Sequence, residues 1–72
     1  VIEVDLDKML LARGLTSAAV AEAVGITPAN LSILKTGKAK GIRFATLAKL
    51  CAVLDCQPGD LLSYREGGNP DD

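Results

Sequence analysis

The sequence predicts an all-α fold: a compact five-helix domain with short extended segments at its N- and C-terminal ends. Three observations predict it. Apolar residues recur three and four apart, at Leu6 and Leu10, Val20 and Val24, Leu31 and Leu34, then Leu47, Leu50 and Leu54, which is the spacing of one helix face. Gly14, Gly25 and Gly37 interrupt these runs where helices end in a left-handed residue. The chain has 72 residues, 49% of them apolar, enough for one small core but not for two domains. The domain is expected over 5-64, with 1-4 an N-terminal extended arm or short strand and 65-72 a disordered polar tail.

In order, Val1-Ile2-Glu3-Val4 is β-prone and lacks a helical period. It reads equally as a disordered arm, an edge strand, or a strand pairing near the C-terminus. Asp5 or Asp7 starts a helix through about Arg13 that Gly14 ends, and Leu15 is expected to plug the core before Thr16 or Ser17 caps the next helix. That helix runs through Val24 to Gly25. Thr27 is a good N-cap and Pro28 suits the first helical position, so another helix spans Pro28 to Thr36. Two short helices around a Gly turn make a helix-turn-helix pattern. Residues 37–43 form a loop, and Phe44 to Leu54 a fourth helix. Pro58 opens a last helix carrying Leu61 and Leu62, and Tyr64 follows in a short extended piece.

Charge is informative in its distribution. The net value is −1, yet no acidic residue occurs from Ala23 to Leu54, where Lys35, Lys38, Lys40, Arg43 and Lys49 all fall. A local cationic excess on an otherwise acidic chain suits a phosphate-facing patch, or equally an exposed basic loop with no partner.

The order and spacing of these pieces resemble the lambda-repressor-like DNA-binding domains of the Cro and Xre type. The resemblance runs from about Leu6 to Leu62. It rests on Arg13-Gly14-Leu15-Thr16, on Val20-Ala21 with Val24-Gly25-Ile26, and on Leu31-Ser32 with Leu34. Gly37-Lys38, Thr46-Leu47 and the segment Leu50 to Leu62 complete it. It implies a transcriptional regulator that recognises double-stranded DNA sequence-specifically, with helix 28–36 in the major groove and the basic loop 38–43 on phosphates. Regulators of this fold bind as dimers on half-sites about 34–36 Å apart. A homodimer is therefore expected, with Val1–Val4 and Leu61–Tyr64 as its surfaces.

With Leu31 and Leu34 turned inward, about 100° per residue puts Ala29, Ser32, Ile33 and Thr36 outward, flanked by Pro28, Asn30 and Lys35. Pro28, Ala29, Asn30, Ser32 and Ile33 are the candidates for base contact. Asn30 suits an adenine edge, Ser32 either base type, and Ala29 and Ile33 thymine methyl groups. Ser17, Thr27, Lys35, Thr36, Lys38, Lys40 and Arg43 are the candidates for phosphate contact. Ser17 stands where the family often has Gln. The strip lacks the paired hydrogen-bonding side chains usual in readout. An alternative is therefore a protein-interaction or antitoxin-like module that keeps the fold with weak or no readout, its protein partner docking on the face around Ile33.

Other classes have little footing. The chain has no histidine, no carboxylate pair spaced for a cleft and no phosphate loop between strand and helix, so no enzyme and no cofactor are expected. Cys51 and Cys56 supply at most half of a structural zinc site. They read as reduced packing residues of a cytoplasmic protein, with no metal. No apolar run reaches the ~20 residues that span a bilayer, so no membrane association is expected.

Overall fold

A computed structural model of the protein describes residues 1–66. Its elements in chain order are β1 (Ile2–Val4), α1 (Leu6–Arg13), α2 (Ser17–Val24), α3 (Pro28–Lys35), α4 (Phe44–Leu54), α5 (Pro58–Leu61) and β2 (Leu62–Tyr64). Five helices dominate, but the all-α expectation needs correction, because β1 and β2 form a two-stranded antiparallel sheet. Ile2 pairs with Tyr64, Glu3 with Ser63 and Val4 with Leu62.

Local sequence explains where each helix stops. Gly14, Gly25 and Gly37 take φ of 66°, 85° and 75°, the left-handed conformation that glycine reaches without a Cβ clash. At α1 the amide of Gly14 donates to Leu11 O at 3.2 Å and that of Leu15 to Leu10 O at 3.0 Å, closing the last carbonyls. Leu15 is thereby fixed as the residue after the cap and stays 36% exposed, not a core plug as its apolar character suggested. Asp55 takes the left-handed position after α4 at φ 51°, and Cys56 N donates back to Cys51 O at 3.0 Å. Before α5, the Asp60 carboxylate accepts from Gln57 N at 2.9 Å.

The periodic leucines and valines converge as expected. Leu6, Leu10, Val20, Ala21, Val24, Leu31, Leu47, Leu50, Leu54 and Leu61 form one buried cluster. Among the described residues no polar or charged side chain is buried. Hydrophobic burial, a non-directional force, therefore gathers the helices, and hydrogen bonds at their ends orient them. Arg13 is one such device. Its Nε donates to Leu54 O at 2.7 Å and its Nη2 to Asp55 O at 2.9 Å, placing a cation on the carbonyl end of α4, where the helix dipole favours it.

The sheet ties the two ends of the described chain together. Leu62 leaves the helical pattern expected for it and enters β2, because Asp5 N bonds Leu61 O at 2.7 Å and aligns the flanking segments. Ser63 donates to the Asp5 carboxylate at 3.1 Å. Arg65 N donates to Val1 O at 2.8 Å, and its guanidinium pairs with Glu3. From Gly67 onward the expected polar tail lies outside the described residues. No single helix among the described residues is long and apolar enough to cross a membrane.

Candidate nucleic-acid interface

α2 and α3 meet at 112° across the turn Gly25-Ile26-Thr27. Gly25 N and Ile26 N both donate to Ala21 O, at 2.9 and 3.0 Å, which sharpens the turn. The Thr27 hydroxyl accepts from Asn30 N at 3.1 Å, and Pro28 opens α3 without an orphaned amide. Leu31 is fully buried while Ala29, Asn30, Ser32 and Ile33 are exposed on α3. Capping and one buried leucine thus decide which strip of α3 faces solvent. Pro28 is also exposed, so all of the base-contact candidates are accessible.

The phosphate candidates divide into two groups. Lys35 turns back toward α2 and donates to the Ser17 hydroxyl at 2.9 Å. Its ammonium also lies 3.3 Å from the Asp7 carboxylate. Thr27 is occupied as a cap, and the Thr36 hydroxyl donates to Ile33 O at 3.2 Å. Ser17, Thr27, Lys35 and Thr36 therefore all have partners within the fold. Thr36 lies just beyond α3, which ends at Lys35 rather than at 36.

Lys38, Lys40 and Arg43 are placed differently. Gly37 N bonds Leu34 O and Lys38 N bonds Ile33 O, both at 3.2 Å, so the chain leaves α3 in a fixed direction. In the loop that follows, Ala39 and Ile42 are half-buried while Lys38, Lys40 and Arg43 are exposed. The apolar pair holds the loop against the domain and turns its cations outward. Neither ion pair among the described residues involves them. With no acidic residue from Ala23 to Leu54, their field is opposed by little nearby in sequence.

A groove of about 390 Å³ separates α3 from this loop, lined by Ile26, Asn30, Ile33, Ile42, Arg43 and Thr46 among others. It brings base candidates Asn30 and Ile33 and phosphate candidate Arg43 to one surface feature. Sequence reasoning missed two residues here. Ile42 was hidden by the glycines and cations around it, although its apolar character three residues after Ala39 was the available signal. Phe44 marks only a helix start in the sequence pattern, yet it is 86% exposed beside Arg43. The α4 terminus it opens has no side-chain cap, which leaves first-turn amides open to an anion.

Away from this face, Cys51 and Cys56 are free thiols of intermediate exposure. Burial pushes the Cys56 thiol above its ordinary range, and the adjacent Cys51 adds to the effect. Among the described residues no group of three or more His, Cys, Asp or Glu side chains is arranged to hold a metal ion.

Comparison with known proteins agrees with this geometry. The family model of the Cro/C1-type HTH DNA-binding domain matches residues 5–67. The chain is 55% identical over 64 residues to the Uncharacterized HTH-type transcriptional regulator YozG of Bacillus subtilis (strain 168). That match covers 89% of this chain and 76% of the relative.

Proposed function

The chain belongs to the Cro/C1-type helix-turn-helix DNA-binding domain family, and from that premise we propose that it is a sequence-specific transcriptional regulator of the Xre type. It inserts α3 into the major groove and grips the backbone with Lys38, Lys40 and Arg43. Pro28, Ala29, Asn30, Ser32 and Ile33 meet the base edges. The observation that carries the reading is the shared groove: Asn30 and Ile33 on α3 and Arg43 on the basic loop line one surface feature. Cationic contacts there fix position on the duplex, while the α3 strip selects among sequences. No catalytic step and no cofactor enter the reading, and its place of action is the cytoplasm, on the chromosome.

The protein acts as a homodimer in this reading. Ile2 and Tyr64 are cross-strand partners that remain 62% and 73% exposed. That exposed apolar pair is the surface a second copy would cover. Sedimentation at high micromolar concentration, free and DNA-bound, checks this; a monomer in both states removes it.

The test of DNA binding is titration of labelled random-sequence duplex at two salt concentrations, with a Lys38→Ala/Lys40→Ala/Arg43→Ala control. Micromolar affinity that falls with salt and is much weaker in the control supports the reading. Ile33, 46% exposed on α3, favours a second one, in which this face docks a protein partner. Absence of binding at low salt would select that alternative.

A further inference from the structure

The hydrogen-bonding side chains around α3 are largely committed inside the fold. Lys35 is held by Ser17 and Asp7. The Thr36 hydroxyl donates to Ile33 O, and the Thr27 hydroxyl accepts from Asn30 N. Pro28 and Ala29 have no polar side-chain atom. What remains on the exposed strip is Asn30, Ser32 and one bulky side chain, Ile33, which cannot form a hydrogen bond.

Only one apolar group is displayed on base edges in the major groove, the C5-methyl of thymine. The rest of the edge consists of donors and acceptors that an isoleucine can only desolvate, at a cost. An exposed isoleucine on a major-groove helix therefore discriminates in favour of that methyl and against a bare polar edge. We infer that Ile33 is a specificity-determining residue that reads a pyrimidine C5-methyl group, so that base selection by α3 depends on methyl contact more than on paired hydrogen bonds. The inference rests on the DNA-binding reading above. It also extends past thymine, because 5-methylcytosine carries the same methyl at the equivalent place on its ring. Cytosine methylation at that position would strengthen binding.

The experiment begins with selection of bound duplexes from a random pool. The enriched site is then resynthesised with deoxyuridine replacing each thymine in turn, which deletes one methyl and leaves pairing unchanged. At one position per half-site, replacement should weaken binding about fourfold, the worth of one buried methyl. Ile33→Ala should weaken binding to the thymine duplex and lose the response to deoxyuridine there, while Ile33→Val keeps the response. Ile33 is exposed on α3, and a thermal melt of each variant verifies that it folds. With cytosine at the responsive position, 5-methylcytosine should bind more tightly than unmodified cytosine by a similar factor. Equal affinity for thymine and deoxyuridine at every position overturns the inference, as does finding no position whose response is lost in Ile33→Ala. A pool that is bound in a salt-dependent way yet enriches no sequence overturns it while leaving DNA binding intact. Failure to bind any duplex at low salt overturns both.

Discussion

The ammonium of Lys35, at the end of α3, donates to the hydroxyl of Ser17, the first residue of α2, at 2.9 Å. The carboxylate of Asp7 on α1 lies 3.3 Å from the same nitrogen. One cation thus ties three helices together at the motif. Lys35 is on the acid-free stretch of the sequence, but its charge is partly neutralised by a residue far from that stretch. Of the cations among the phosphate candidates, Lys38, Lys40 and Arg43 of the loop are exposed and outside both ion pairs of the described residues.

Lys35→Ala should therefore act on stability and hardly on DNA affinity. Asp7 is 71% exposed, so its ion pair contributes little, and the bond to Ser17 contributes about 1 kcal/mol. A fall in melting temperature of about 4–8 °C is expected, with the salt dependence of DNA binding unchanged. A fall in that slope by about one would instead place Lys35 on a phosphate.

The loop triple variant should show the opposite pattern. Lys38→Ala/Lys40→Ala/Arg43→Ala removes exposed side chains, so its melting temperature should stay within a few degrees of the parent. The slope of log affinity against log salt should become shallower by about 2.7, about 0.9 for each lost phosphate contact. Fluorescence anisotropy over a salt series measures it.

Arg13 serves the fold. Arg13→Ala leaves the carbonyls of Leu54 and Asp55 without their two donors and should cost about 1.5–3 kcal/mol in urea unfolding. Arg13→Lys should recover less than half of that, because an ammonium cannot reproduce the guanidinium fork.

The turn residues give a paired prediction. Gly25 has φ of 85° and open space around its Cα, so Gly25→Ala meets backbone strain alone and should cost about 1–2 kcal/mol. Asp55 sits at φ 51° with a side chain. Asp55→Gly relieves that strain and should stabilise by about 0.5 kcal/mol, since glycine's greater unfolded-state freedom offsets part of the gain. Chemical denaturation of both variants checks the sign.

Alkaline stability should depend on Cys56. Burial, then the neighbouring Cys51, raise its thiol above the ordinary value of 9.0. The folded state therefore holds this proton longer than the unfolded chain does. Its contribution is fully present below the unfolded value and is lost as pH rises through the folded one. Stability measured in reducing buffer should fall from about pH 9 upward, and Cys56→Ala should remove that part of the decline.

Much of this protein was legible because its helix boundaries are local events. Thr16 bonds Ala19 N at 3.1 Å and Thr27 bonds Asn30 N at the same distance, both within four residues, so Ser/Thr, Pro and Gly at the right offsets announce them. The core was equally legible, since leucines at spacings of three and four can be buried together only on one helix face. These two features suffice to locate the helices, their inward sides, the helix-turn-helix pair and the exposed strip of α3.

Tertiary structure decided what depends on residues far apart in the chain. Leu15 satisfied a local capping pattern and so never reached the core. Val1–Val4 found its role only when Tyr64 and Arg65 came alongside, and no local pattern distinguishes a strand from an arm without its partner. Lys35 is a phosphate candidate by its place in the acid-free stretch, and only folding sets Ser17 and Asp7 beside it. Whether a cation reaches outward or bonds inward depends on the distances among neighbours that packing brings together, and those distances are not written in the spacing of residues along the chain.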